Sequence, residues 1–408
     1  MKRITLTKLI TLSLITATTL HATNGDNLIG IGAKSRAMGG TSIAVNNGAE
    51  SGLNNPSLIT GIDGTEISFG GTLFLPTIDS GFVGAPKYTS AADVSTIPEV
   101  SIAHKINENW YIGIGIWGTA GLGVDFSKAP FTPAGGNLHM VTNLQLLQFG
   151  MPIAYKTGGL SLGVTPIMQY GNLDINYHLP TGQANLPFAN IGAGIAQDYG
   201  FGYNVGISYD FEHDGVKGLT IGATYKSKLE MNFDGQFATA TAPFKFPGFP
   251  DLYSGDALEQ PSEYGLGFSY TTAQHTIAFD YKNIQWSEAQ GYGEFGWEDQ
   301  DVYALGYQFA QDNWALRVGY NYASSAVVEL QDPRMNLFNL LGFPATAESH
   351  YTVGGSYAFS EKFALDLAYV YQPTTTKTFN ISGLPFPAQE FTVDHQETSV
   401  TFQLSYKF

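Results

Sequence analysis

The 408-residue chain contains no cysteine, so disulfides and thiolate-bound metals are excluded. Charge is scarce. Asp, Glu, Lys and Arg make up 13% of the residues, about half the share of an ordinary soluble protein. The scarcity is one-sided, with 19 basic against 35 acidic residues, and a surface of that sign repels nucleic acid. Beyond residue 22 there is no run of 18 apolar residues, which excludes a membrane-spanning helix. The chain carries no G-x-S-x-G, H-E-x-x-H, P-loop or EF-hand pattern. GIGIWG at 113–118 fits the dinucleotide pattern G-x-G-x-x-G, but it lies within a strand-like run with no helix behind it. The seven histidines beyond residue 22 are widely scattered. No cofactor or metal is expected.

Glycine and aromatic residues take the place of charge: 48 Gly, 23 Tyr and 27 Phe. The N-terminus reads MKRITLTKLITLSLITATTLHA, with Lys2 and Arg3 ahead of a Thr-diluted apolar stretch that ends in small residues. This is the layout of a secretory signal peptide, residues 1–22, cleaved after Ala22. Loss of Lys2, Arg3 and Lys8 leaves 16 basic and 35 acidic residues, a net charge of −19.

From Thr65 onward the chain resolves into about fourteen segments of period two, the repeat of a strand with one oily and one wet face. Ile67, Phe69 and Leu73 share a face in TEISFGGTLFL. Tyr203, Val205, Ile207 and Tyr209 oppose Asn204, Gly206, Ser208 and Asp210. The chain ends SVTFQLSYKF, where Phe402, Leu404, Tyr406 and Phe408 alternate with Thr401, Gln403, Ser405 and Lys407. Connections alternate in length. Tight turns fall at 107–109, 157–159, 213–217, 272–274, 311–313 and 360–362. Long stretches fall at 79–97, 119–141, 179–198, 233–260, 328–348 and 374–396, with a shorter one near 289–297. A soluble sandwich has no reason to sort loop length by end; an outer-membrane barrel does. Trp110, Trp286, Trp314, Tyr369 and Tyr371 sit near the ends of oily faces, as in an interfacial girdle. Lys226, Asp280, Arg317 and Asp366 sit on polar faces that suit a lumen. The expected fold is all-β: a transmembrane antiparallel β-barrel of about 14 strands, residues 64–408, in the outer membrane of a Gram-negative bacterium. Lipid and lipopolysaccharide are its expected surroundings, terminal Phe408 its handle for the barrel assembly machinery, and a monomer its expected state.

Residues 23–63 do not read as strands. They are Gly-rich and small, too apolar for a disordered tail, and long enough to fold into a fourteen-stranded lumen. A plug, or hatch, is the reading, with Asn24, Gly25, Arg36, Asn54, Asn55 and Pro56 as its marked residues. GIGAKSRAMGGTSIA and NNPSLIT within it resemble the start of FadL/TodX-type outer-membrane transporters. That family has Asn-Pro-Ala in its hatch, where this chain has Asn55-Pro56-Ser57. DYKNIQWSE, with Trp286 and Ser287, is similar as well. The resemblance implies a hatch-plugged barrel that imports hydrophobic molecules such as long-chain fatty acids or aromatic hydrocarbons. It further implies a greasy groove between two extracellular loops, an internal site beside the hatch N-terminus, and a sideways exit through a kink in the third strand.

The residues supply candidates for each part. One loop holds Leu122, Phe126, Phe131, Leu138 and Met140; another holds Phe237, Phe244, Phe246, Phe249, Leu252 and Tyr253. Exposed apolar clusters of this density mark binding sites. On the third strand, Trp117, Gly118, Gly121 and Gly123 are the gate candidates, since interior glycines mark bulges and bends. A fatty-acid carboxylate needs a cation. Arg36 and Arg317 are the candidates, although pairing with a lumen acid such as Asp280 or Asp366 is the default for a lumen arginine. The reading is passive import of hydrophobic compounds, not an enzyme. An aqueous porin and a barrel-type lipid hydrolase are the rivals. Phe246→Asp is expected to reduce uptake of hydrophobic compounds while the barrel still folds; unchanged uptake of labelled oleate and toluene would show that the groove lies elsewhere.

Overall fold

The computed structural model describes residues 23–130, 137–183 and 186–408; the expected signal peptide lies outside the described residues. Fourteen strands form the wall. They are β1 (Thr65–Phe82), β2 (Ser95–Lys105), β3 (Trp110–Asp125), β4 (Val141–Gly150, resumed as Ile153–Thr157), β5 (Leu160–Gln183), β6 (Ala196–Asp210) and β7 (Leu219–Lys226). Then follow β8 (Glu263–Thr272), β9 (His275–Ile284), β10 (Gln300–Gln311), β11 (Trp314–Ala323), β12 (Ser349–Ala358), β13 (Phe363–Asn380) and β14 (Glu390–Lys407). Each pairs antiparallel with its sequence neighbours, and β14 returns to β1 in register from Phe391↔Phe82 to Lys407↔Glu66. The sheet is therefore a closed barrel with no free edge.

The alternation of the terminal strand fixes its two faces. Ser399, Thr401, Gln403 and Ser405 are buried in the lumen, while Val400, Phe402 and Tyr406 are exposed outside. The same holds around the wall, where Leu266, Phe279, Leu305, Leu316 and Val353 form an exterior apolar band. Aromatic rings edge that band in neighbouring pairs. Tyr225 lies against Tyr264 and Tyr281 against Tyr303 at one level. Trp110 lies against Tyr155 and Tyr406 against Phe408 at the other. An apolar belt between two aromatic girdles is the signature of a barrel standing in a bilayer.

The tight turns gather at one end. Residues 273–274 and 312–313 connect strands directly, and Ala273 and Asp312 adopt φ of 48° and 52°. Two-residue hairpins demand this left-handed backbone to match strand twist. The long connections gather at the opposite end. One expectation is corrected here. Trp286 does not join the girdle: it follows the end of β9 in a short 3-10 turn and is wholly buried.

Residues 23–62 occupy the lumen. They comprise a two-residue hairpin (Thr23–Asn24 with Asn27–Leu28), helix α1 (Ala33–Ala37), helix α2 (Ser51–Asn54) and a 3-10 turn (Pro56–Gly61). Their irregular backbone is bonded by lumen side chains. Asp280 accepts from the N–H groups of Ser42 (2.6 Å) and Ile43 (2.9 Å). Gln403 accepts from Ala33 N–H, and Thr165 and Ser269 donate to the carbonyls of Gly52 and Ala44. Close approach also requires glycine in the wall: a Cβ at Gly319 would lie 2.1 Å from Gly39 N. Phe402→Arg would place a charge near mid-wall among lipid chains, so it should lower the unfolding free energy in lipid vesicles by roughly 2–4 kcal/mol; urea titration measures this.

Candidate functional site

The long connections fold into an apolar cap over one end of the barrel. The segment 285–299 contributes Trp286, Tyr292, Phe295 and Trp297, whose rings pack together at 4.7 to 5.2 Å where Tyr292, Trp286 and Trp297 meet. Helix α3 (Gln236–Thr241) contributes Phe237. Helix α4 (Pro333–Gly342), started by Pro333 and capped by Asp332 accepting from Arg334 N–H, contributes Phe338, which stacks on Phe295 at 4.9 Å. Between these rings lies a cavity of about 370 Å³, open mouth included. It is lined by Leu122, Leu144, Leu173, Phe237, Leu258, Gly291, Tyr292, Phe295, Trp297, Phe338, Asn339 and Phe343. The Asn339 amide is engaged with the Phe295 carbonyl (2.8 Å), so the lining presents almost nothing but hydrocarbon.

The groove candidates fall in this cap in different ways. Leu122 and Phe237 line the cavity itself. Phe126, Leu138, Met140, Phe244 and Leu252 are buried in the surrounding cluster, with Phe246 and Tyr253 packed against it. Phe249 stays partly exposed beneath the Arg334 guanidinium, 4.7 Å from its ring. Phe131 lies outside the described residues. Most of the described candidates in the two loops are thus buried in the cap. Leu122 is not a loop residue, because β3 runs on to Asp125. The cavity residues Tyr292, Phe295, Trp297, Phe338 and Phe343 went unmarked. Their signal is present in GYGEFGW and LFNLLGF, two aromatic-rich connections where polar loops are the rule.

A second cavity, about 640 Å³ with its open mouth, lies in the lumen beside the hatch. Leu28, Ile31, Leu53, Ile167 and Leu229 give it an apolar side; Gln148, Gln260, Lys226, Glu263 and Lys282 give it a polar one. Lys226 pairs with Glu263 at 3.4 Å, which leaves the lining one lysine richer than its acids. The arginine candidates stand elsewhere and are already paired. Arg36 meets Glu99 at 2.7 Å. Arg317 donates to Gln308 and Ser356 and lies 3.7 Å from Asp366.

The hatch N-terminus separates the two cavities. Asp26 is fully buried and accepts at one oxygen from Tyr292 of the outer cavity and from Gln260 of the inner one (2.9 Å). Trp286 packs so tightly on Gly25 that a Cβ there would lie 2.4 Å from its ring. Asn24 is buried at the end of the first strand of the hatch hairpin. Asn54 donates to the Ile31 carbonyl. Asn55 caps the turn that begins with Pro56, accepting from Ser57 N–H and donating to the Ile43 carbonyl at 2.7 Å. Ser57 is the departure from Asn-Pro-Ala. Its hydroxyl lies 2.8 Å from Asn55 Oδ1 and 2.9 Å from Ser208 Oγ in β6, a tie to the wall that alanine lacks.

The pairing of the third strand changes among Trp117, Gly118 and Ala120. Pairing with β2 ends at Glu99↔Trp117, a bulge follows between Gly118 and Ala120, and the rest of β3 pairs with β4 alone in the wall. Beyond the bulge Gly121 N–H donates to the Asp26 carbonyl, and Ala120 pairs with Asn27 of the hatch. Trp117 points into the lumen and donates to Ser101 (2.8 Å). A Cβ on Gly118 would meet Ile97, which fills the unladdered stretch, whereas one on Gly123 would meet Thr142. Above it, the Ala91 N–H to Asp125 carbonyl bond joins the two sides again.

These features define a plugged membrane β-barrel, its lumen filled by its own N-terminus and its outer end capped by an apolar cavity. The chain belongs to the family described as outer membrane protein transport protein (OMPP1/FadL/TodX), whose sequence profile matches residues 14–408. It is 25% identical over 382 residues to a 47 kDa outer membrane protein of Pasteurella multocida, covering 82% of this chain and 83% of that one. It is 23% identical over 380 residues to a long-chain fatty acid transport protein of Salmonella typhi, covering 82% and 84%. Its fold matches the toluene transporter TodX of Pseudomonas putida with TM-score 0.69 at 18% identity, over 94% of this chain and 99% of that one. A Pseudomonas aeruginosa FadL homologue matches with TM-score 0.69 at 14% identity, over 94% and 100%. The protein resides in the outer membrane of a Gram-negative bacterium.

Burial pushes the Asp26 carboxyl up to about 6, against the lowering effect of its Tyr292 and Gln260 hydrogen bonds. A released, hydrated Asp26 would titrate near its ordinary 3.8. The seated state therefore holds the extra proton between these values. Its contribution to seating is complete below 3.8 and is lost as pH rises through about 6. Hydrogen-exchange protection at residues 24–31, taken relative to the intrinsic rate at each pH, should be greater at pH 5 than at pH 7.5. Glu50, raised to about 7 by burial and by Glu66, titrates nearby. Asp26→Asn should remove the Asp26 share of the pH effect; an unchanged profile would assign it to Glu50.

Proposed function

We propose that this protein carries hydrophobic compounds passively inward across the outer membrane, and that amphiphiles with an apolar chain and a carboxylate are its preferred cargo. The observation that carries the reading is the sequence of two cavities, an apolar one in the cap and a mixed one in the lumen, parted by the Tyr292–Asp26–Gln260 contact. An apolar molecule leaves water favourably for the cap, where ring faces replace hydration. The relatives' names agree in kind, since they include long-chain fatty acid transport proteins and toluene transporters.

The ligand enters the cap cavity through the loops bearing Phe244, Phe246 and Phe249, and passes to the luminal cavity when the hatch N-terminus withdraws. There Lys282, with Lys226 shared by Glu263, favours a carboxylate. Arg36 and Arg317 hold the hatch and the wall through Glu99 and Asp366 instead. Exit runs sideways at the unladdered stretch between Ile97 and Gly118, where separating β2 from β3 breaks no ladder hydrogen bond. The hatch, residues 23–63, acts as the moving part. No energy-coupling motif stands in the sequence, so transport follows the gradient.

Uptake of labelled oleate and of toluene by proteoliposomes, set beside sugar-driven swelling, tests the reading. Hydrophobic uptake with little swelling supports it, and sugar permeation without hydrophobic uptake rules it out. Lys282→Met should reduce oleate uptake severalfold and leave toluene uptake nearly unchanged; equal effects on both would remove the carboxylate preference while leaving the route intact.

A further inference from the structure

The wall opposite the hatch N-terminus holds a carboxylate that lacks a permanent cation. Glu397 of β14 is buried in the lumen, and among the described residues its only ion-pair partners are two histidines, His350 of β12 (3.2 Å) and His395 of β14 (3.1 Å). Both rings are buried, and His395 Nδ1 lies 3.3 Å from Thr346 Oγ1. Imidazole carries charge only when protonated, so neither histidine is a permanent cation for this buried carboxylate. The third nitrogen on this carboxylate is the main-chain nitrogen of Thr23, 3.2 Å from Glu397 Oε2.

Thr23 directly follows Ala22, after which the layout of the N-terminus predicts signal-peptide cleavage. We infer that Glu397, with His350 and His395, is the receptor for a processed N-terminus: cleavage at Ala22–Thr23 converts the Thr23 amide into an α-ammonium that supplies the missing cation. In that hydrolysis water adds across the Ala22–Thr23 peptide bond. The C–N bond breaks, Ala22 leaves as a carboxylate, and the Thr23 nitrogen takes up protons to become –NH3+. The catalyst is a signal peptidase, which supplies no atom to either product. The ammonium then anchors the strand Thr23–Asn24, which pairs with Asn27–Leu28 and places Asp26 between the two cavities. The anchor is sensitive to length, since one extra residue at the N-terminus puts an uncharged amide where the ammonium belongs.

The test uses mature protein purified from outer membranes. Intact mass should give a chain that begins at Thr23. At neutral pH its α-amine should react with an acylating reagent about tenfold or more slowly than the α-amine of Glu397→Gln, since each unit by which an ion pair raises an amine pKa cuts its neutral, reactive fraction tenfold. A second variant, with Gly inserted between Ala22 and Thr23, keeps Glu397 and should show the same fast acylation together with faster hydrogen exchange at residues 24–31. A mature chain that begins elsewhere overturns the inference. So does a Thr23 amine in the unaltered protein that acylates as fast as the added glycine's amine in the Gly-extended one; the histidines would then carry the compensating charge.

Discussion

An irregular stretch of backbone held at membrane depth has no bulk water to satisfy its N–H and C=O groups, and everything inside this barrel follows from that constraint. The hatch has only short helices and a two-residue hairpin, so its own hydrogen bonds cannot close the account. The wall completes it from the lumen side. Carboxylates take the N–H groups: Asp280 those of Ser42 and Ile43, Glu99 that of Gly32, Glu66 that of Ala49. Hydroxyls and amides take the carbonyls, as Thr352 does for Ala37 and Asn321 for Gly39. This gives a local use for an excess of acids in a lumen with few cations. An acidic side chain accepts from two donors at once, and the hatch presents donors in series.

The same chain meets three solvents, and each reverses the rule of the last. Along the wall the oily residues face outward to lipid, as Phe402 and Leu305 do, and the lumen is polar. In the cap the oily residues turn inward. Phe237, Phe295 and Phe338 make a core of the soluble kind, because the surroundings there are water. In the lumen small residues dominate, since hatch and wall approach to backbone contact at positions such as Gly319. Loop sequences rich in Phe and Pro are thus compatible with a protein that exposes few of those rings.

Tyr292 joins the cap to the hatch. Its ring lines the outer cavity while its hydroxyl reaches Asp26, whose other donor, Gln260, lines the inner cavity. Burial raises the carboxyl at that junction, and burial of the Tyr292 hydroxyl also keeps it protonated. Coupling between a ligand in the cap and the position of the hatch therefore has a short physical path.

The wall was legible from alternation alone, because strand faces have period two and hydrocarbon enforces that period at every second residue from Ile67 to Phe408. Sorting of short and long connections gave the ends of the barrel, and the glycines of β3 lie around its register shift. The family resemblance rested on the hatch motif, in which Asn55 caps the Pro56 turn. Partnership was legible only in part. Arg317 stands beside Asp366, an acid the sequence offered it, whereas Arg36 stands beside Glu99, which the sequence did not single out. Trp286 passed for a girdle residue, since nothing local shows that β9 ends before it and that Gly25 lies beneath its ring. The cavity residues Tyr292, Phe295, Phe338 and Phe343 come from connections distant in sequence, and only closure of the sheet brings them together. Periodicity is a local property and survives in the sequence; which side chain answers which charge or fills which space depends on contacts between segments hundreds of residues apart, and only the folded barrel decides them.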